Sequence, residues 1–245
     1  HNNEDGIAGF NRADNGGLVS QSLTFTGNNV YQNSRNGIFL DNSSEDLSYV
    51  TQNVTIQDNT IARNNRSGIY IDNYASFSTI VQSVTIAGNS IVQNDREGIL
   101  GNNEGEDGSL TQALSITGNT ILSNFGDGVQ VSSYLSNGFD ISQTVSVTGN
   151  LIDNSGDEAI DIFLRGEDGV TASQGIAISG NSALNSGDYG IRVAAYLSTG
   201  SNLTQSLAIS GNLVDRANED GIFVVTTAYR NSAVSQTVAI TGDSV

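Results

Sequence analysis

Three carboxylates and two guanidinium groups come nearest to a reacting set in this sequence: Asp157, Asp161 and Asp188 with Arg165 and Arg192. A pair of carboxylates flanking a sugar linkage can divide the acid and base roles of glycoside cleavage. The same acids recur about one repeat apart, so a solvated acidic face explains them equally well. A second set stands two residues before a recurrent glycine position: Glu4, Arg35, Arg66, Arg96, Gly126, Asp157, Asp188 and Glu219. If these positions lie over one another, three arginines run in series and three acids follow. Like charges at neighbouring-strand spacing repel unless something intervenes. Ca²⁺ takes carboxylate, carbonyl and amide oxygens. Asp157, Glu158, Asp188, Glu219, Asp220 and, across a junction, Glu4 and Asp5 are therefore the candidate ligands. Their spacing matches neither an EF-hand nor a Gly-Gly-x-Gly-x-Asp roll, and splayed side chains screened by water are the plainer expectation. Arg35, Arg66 and Arg96 could meet an acidic glycan or the acidic end of another copy. Tyr74, Tyr134 and Tyr196 each lie six residues after the same glycine position, with Tyr49, Phe77, Phe139 and Tyr229 nearby. They are expected to pack beneath the loops that close each repeat; stacking on sugars is the alternative.

What positions all of these is an internal repeat. The stretch Gln82-Ser83-Val84-Thr85-Ile86-Ala87-Gly88-Asn89 returns eight times with a period of 30 or 31 residues. Its glutamine falls at Gln21, Gln52, Gln82, Gln112, Gln143, Gln174, Gln205 and Gln236. Its asparagine falls at Asn28, Asn59, Asn89, Asn119, Asn150, Asn181 and Asn212, with Asp243 in the last copy. Period-two alternation, as in Leu110, Gln112, Leu114 and Ile116, predicts a strand with one buried face. Gly-Asn then makes a bend, because glycine accepts positive φ and asparagine tolerates it. A short apolar position follows, and a second glycine ten residues after the first opens a third strand. A polar stretch of about ten residues closes the repeat. Three short strands per turn under strict translation predict coil stacked on coil, with each strand paired in parallel to its equivalent.

Stacking also gives the two amide columns a purpose. Strand parity points the glutamines inward, where a buried amide is costly unless paired, and a continuous stack satisfies each from the next coil. Both columns are expected to be structural.

The net charge of -17, with 26 acids against 9 arginines and no lysine, disfavours nucleic acid and anionic membranes as partners. No cysteine is present, so neither a disulfide framework nor a cysteine metal site is available. No apolar run is long enough to insert in a membrane. The composition resembles that of repeat-amplified secreted surface proteins, and an extracellular or cell-surface location is expected.

The pattern Val84-Thr85-Ile86-Ala87-Gly88-Asn89-Ser90-Ile91-Val92-Gln93-Asn94 through Gly98-Ile99 resembles the right-handed parallel β-helix repeats of the pectin-lyase-like superfamily. The resemblance implies an all-β, single-stranded right-handed parallel β-helix: a solenoid of about eight coils and three parallel sheets, with an asparagine ladder at the bend. One domain, 1–245, would hold repeats near 21–51, 52–81, 82–111, 112–142, 143–173, 174–204 and 205–235, with partial repeats at 1–20 and 236–245. That superfamily includes lyases, hydrolases, epimerases, tailspikes and adhesins, so the fold alone does not select a function. Epimerases of this fold carry Asp-Pro-His-Asp, whereas this chain has no proline and one histidine, His1. Polygalacturonase-like hydrolases use Arg-x-Lys, and lysine is absent. The expectation is a non-enzyme: a structural segment of a filament, stalk or adhesin. A carbohydrate-active β-helix and a phage tailspike-like fibre are the alternatives.

Joined end to end, Gly242-Asp243-Ser244-Val245-His1-Asn2-Asn3-Glu4-Asp5-Gly6-Ile7 reads like Gly211 through Ile222. This suggests either a window from a longer array or copies that stack on themselves. The start at His1, without a signal segment, suggests a mature product or an excised piece.

Overall fold

The computed structural model describes residues 2–245, and its strands wind into a solenoid of three parallel sheets. The first sheet holds Ile7–Ala13, Ile38–Glu45, Ile69–Ser76, Ile99–Glu106, Val129–Ser136, Ile160–Gly166, Ile191–Leu197 and Ile222–Ala228. The second holds Leu18–Thr26, Tyr49–Gln57, Thr79–Ala87, Ser109–Thr117, Asp140–Thr148, Thr171–Ser179, Asn202–Ser210 and Ala233–Thr241. The third is built of three-residue strands, from Asn29–Tyr31 to Leu213–Asp215. Each strand pairs with its equivalent one coil away, as Gln112 does with both Gln82 and Gln143. Constant register turns every repeat position into a column.

The expected closing loop is not a loop. Strands of the first sheet run on through most of that polar stretch, and two to four residues then turn the corner into the second sheet. Its polarity misled because outward-facing strand positions are polar too. The corner also explains the two spacings. Phe77-Ser78 and Asp107-Gly108 are two-residue corners, whereas Asp46-Leu47-Ser48 has three. The 30-residue coils are short at this one place.

Inward side chains form two apolar cores. The larger, with Ile56, Ile86, Ile116 and Ile71 among its members, fills the space bounded by all three sheets. The smaller lies under the corner between the first two sheets and includes Ile80, Leu110, Leu135, Phe139 and Leu164. Buried amides run between them.

Two kinds of glycine shape the coil. Gly88 at the Gly-Asn bend has φ +63°, and Asp58, which replaces glycine one coil earlier, takes φ 54°. The second recurrent glycine is needed for close approach instead. A Cβ at Gly37 would lie 2.5 Å from Ile61 Cγ2 and 2.6 Å from Gly68 O. Ala159 stands at this position in the sixth coil, and the aliphatic that would face it is reduced to Ala183; both are fully buried. The cut-back at 183 makes room for the methyl that Ala159 adds where the other coils place a glycine against a larger aliphatic. Ala183→Ile is expected to destabilise by about 1–3 kcal/mol through overpacking. Adding Ala159→Gly should recover most of that loss in a double-mutant cycle read by urea unfolding. Additive effects would show that the two sites do not touch energetically.

Candidate functional site

Both amide columns lie where the sequence placed them. In the glutamine column, each Nε2 donates to the Oε1 one coil earlier: Gln52 to Gln21 at 3.0 Å, Gln82 to Gln52 at 3.0 Å and Gln112 to Gln82 at 2.8 Å. The series continues through Gln143, Gln174, Gln205 and Gln236. In the bend column the direction reverses, so Asn28 donates to Asn59, Asn59 to Asn89, Asn89 to Asn119 and Asn119 to Asn150. Asn150, Asn181 and Asn212 extend it to Asp243. Each of Asn59, Asn89, Asn119, Asn150, Asn181 and Asn212 also donates to a main-chain carbonyl of the preceding coil, such as Asn119 to Ile86 O at 2.9 Å.

Two further columns escaped the sequence reading. Asn11, Asn42, Asn73 and Asn103 stack on the inner face of the first sheet and cross-link to the glutamines, Asn73 Nδ2 to Gln82 Oε1 at 3.0 Å. Asn33, Asn64, Asn94 and Asn124 stack after the third sheet. The signal was present: Asn42, Asn73 and Asn103 stand five residues after the second glycine, on the inward parity. The loop-like polarity of that stretch hides the inward parity.

The proposed reacting set does not assemble. Asp157 and Asp188 are exposed at a turn. Arg165 pairs with Glu167 at 2.6 Å and stacks in register between Tyr134 and Tyr196, two outward columns away from Asp161. Among the described residues of this set, the side chains that meet are those of Asp161 and Arg192, with Nη1 donating to Oδ2 at 3.1 Å. Arg192 also reaches Glu158 at 3.6 Å and lies over the Phe163 ring, 5.7 Å from its centroid.

A different carboxylate completes this cluster. Asp127 is almost fully buried, and its Oδ1 accepts the Glu158 N–H at 2.8 Å. It belongs to a column one residue before the second glycine, where Glu97, Asp127 and Glu158 are consecutive. Reading that column as well would have found it. Burial, then the Glu158 side chain, push the Asp127 carboxyl far above the usual range. Burial raises Asp161 to about 6, opposed by Arg192 and reinforced by Glu158. Asp161 Oδ1 has no hydrogen-bond partner. With Asp127 protonated, Arg192 offsets one of the two remaining charges, and the group holds itself together as a buried polar knot.

Of the candidate calcium ligands, Asp157, Asp188 and Glu219 stack one coil apart as expected, the Asp188 N–H donating to Asp157 O and the Glu219 N–H to Asp188 O, both at 3.2 Å. Glu4 pairs with Arg35 at 3.0 Å, and Asp5 accepts the Asn36 main-chain and side-chain N–H groups. Glu158 belongs to the knot, while Glu219 and Asp220 are exposed near the opposite end. Among the described residues, no three histidine, aspartate or glutamate side chains converge as a metal-binding group. Arg66 and Arg96 are exposed, and among the described residues they form no ion pair.

The tyrosines are not a core under loops. Tyr74, Tyr134 and Tyr196 point outward from the first sheet and are 37%, 47% and 36% exposed. Phe139 is the exception among the neighbouring aromatics, since it is fully buried in the smaller core. Tyr134, Phe163 and Tyr196 form a row with centroids 5.4 and 5.8 Å apart. Beside it run two adjacent grooves of about 220 and 380 Å³, which share Arg165 and Glu167. Tyr74 stands apart, between Ser43 and Glu104 in register.

The knot predicts a pH dependence. An acid whose folded pKa is raised contributes stability at low pH and loses it as pH rises through the folded value. The unfolding midpoint is therefore expected to fall as pH rises from about 4, through both acids until about 6, where Asp161 has titrated in the folded state, and through Asp127 above that. Asp127→Asn keeps an acceptor for the Glu158 N–H and should flatten the upper part of that decline in thermal melts. An unchanged slope would show that Asp127 does not titrate there.

Searches of curated proteins and of solved structures returned no match. The family described as the right-handed beta helix region matches residues 20–174, more than half of the chain. With three parallel sheets in constant register and an asparagine ladder at each bend, this chain belongs to the right-handed β-helix family.

Proposed function

We propose that this β-helix is a structural rod, a segment or subunit of an extracellular filament, stalk or adhesin that works without catalysis. The observation that carries the reading is the continuity of its interior. The glutamine ladder and the bend ladder run through all eight repeats, and coil length changes by a single residue. A fold that repeats one nearest-neighbour contact is stiff along its axis, because bending it must strain every ladder at once. The same register can accept a coil from another copy, so self-association end to end is the partner this reading favours. Calcium, on this reading, would bind only where the acidic coil of one copy meets Glu4 and Asp5 of the next.

Electron microscopy of the purified 245-residue chain, with calcium and then with EDTA, tests the rod. Filaments with an axial repeat of about 38 Å, eight coils at strand spacing, are expected. Their loss in EDTA would support calcium at the junction, and dispersed particles in both conditions would refute self-assembly.

A second reading has its own observation, the outward aromatic row with Arg165 and Glu167 beside it. Aromatic faces stack on sugar rings while charged groups fix hydroxyls or carboxylates, so this face suits an acidic glycan. Tyr134→Ala and Tyr196→Ala should each weaken binding on a polysaccharide array by about tenfold, or ~1.4 kcal/mol. Release of unsaturated sugars would instead argue for catalysis.

A further inference from the structure

The corner between the first two sheets carries a feature that neither ladder nor knot explains. At this corner the chain enters the left-handed region in every coil, and most coils place asparagine, aspartate or glycine there: Asn15 and Gly16, Asp107, Asn137 and Gly138, Asp168 and Gly169. Those types tolerate positive φ. Thr199 at φ 54° and Arg230 at φ 52° depart from those types beside Gly200 and Asn231, and two consecutive coils depart with bulky apolar residues, Leu47 at φ 61° and Phe77 at φ 49°. Neither is compensated by burial. Leu47 is 87% exposed and Phe77 54% exposed. They are neighbours, the Leu47 N–H donating to Phe77 O at 2.8 Å, and Tyr49 adds a partly exposed ring. A bulky side chain held both in a disfavoured backbone conformation and in water serves nothing in the fold itself.

These residues also border a depression. Because the corners at Phe77-Ser78 and Asp107-Gly108 are one residue shorter than the corner at Leu47, the wall is notched across two coils. The notch has a volume of about 440 Å³, with Leu47, Tyr49 and Phe77 at one side and Asp107 and Asp140 at the other. Its floor cannot fill in, since a Cβ at Gly108 would lie 2.6 Å from Ser78 O. Glu45, Asp46 and Glu106 adjoin the rim, and no arginine lines the notch.

We infer that this notch docks a cationic peptide segment of another protein, one in which lysine or arginine residues flank large apolar side chains. The apolar wall supplies the contact, and the carboxylates supply the complementary charge that selects and orients it. A second copy of this chain is a poor occupant, because it carries 26 acids against 9 arginines and no lysine.

The substitutions that test this are favourable to folding. Leu47→Asn and Phe77→Asn place a residue suited to positive φ at both corners, and the double variant should melt at the same temperature or a few degrees higher. The probes are three labelled heptapeptides: Ser-Lys-Phe-Lys-Phe-Lys-Ser, its glutamate counterpart, and its serine-for-phenylalanine counterpart. Fluorescence anisotropy should show the first binding on the order of tenfold more tightly than either control, and the double variant losing on the order of tenfold. Amide shift changes should centre on Leu47, Phe77 and Gly108. Equal binding of the controls, no binding of any probe, or binding indifferent to the double variant would overturn the inference. So would a marked fall in melting temperature, which would make the two side chains part of the fold. Self-association of the wild-type chain that the double variant abolishes would assign the notch to a second copy and equally overturn it.

Discussion

An amide has both a donor and an acceptor, so identical amides stacked at strand spacing can satisfy one another without limit. The solenoid depends on this property. Parallel pairing holds the register constant, constant register places glutamine over glutamine and asparagine over asparagine, and the buried polar groups cease to be a liability. In another register the same glutamines would face aliphatics and lose their partners, at about 1–3 kcal/mol for each unsatisfied group. The ladders therefore specify the alignment, and apolar burial supplies the drive toward it.

Where the repeat varies, it varies in compensated pairs. Ala159 replaces a glycine and Ala183 replaces the aliphatic opposite it. The asparagine column on the first sheet gives way to Ser133, Leu164 and Ala195, and the smaller apolar core spreads into the space. Phe139 tucks into room left by Gly105, whose position would bring any Cβ against the ring. Such exchanges avoid steric overlap in the interior while the sequence drifts. The outer surface is under no such constraint. There each coil can carry its own chemistry: the aromatic row and the Asp127 knot share one stretch of coils, with Arg192 over Phe163, while the corner notch lies mostly in earlier coils.

The interior and exterior thus divide the molecule's work. Interior columns set stiffness and length, and they are used in nearly every coil. Exterior features are local, three or four coils high, and so able to act as sites. Tyr134 and Tyr196, with the half-buried Phe163 between them, lie on a sheet face that can change without disturbing the ladders. The two-residue corners show that even a deletion is absorbed locally, because the flanking strands regain register at once.

The sequence by itself determined the solenoid, the period, the bend and the two ladders at Gln112 and Asn119, because a repeating pattern under parallel stacking allows only one alignment. It did not show where the first sheet ends, since outward strand positions are as polar as loop residues. That one uncertainty hid the Asn73 column and placed Tyr134 under a loop instead of on an open face. Nor could spacing tell that Arg192 meets Asp161 while Arg165 lies two columns away, or that Asp127 is sealed from water. Those facts depend on which way each side chain leaves the coil and on what covers it. Only the tertiary structure decides burial, and burial is what separates a solvated charge from a carboxyl that keeps its proton.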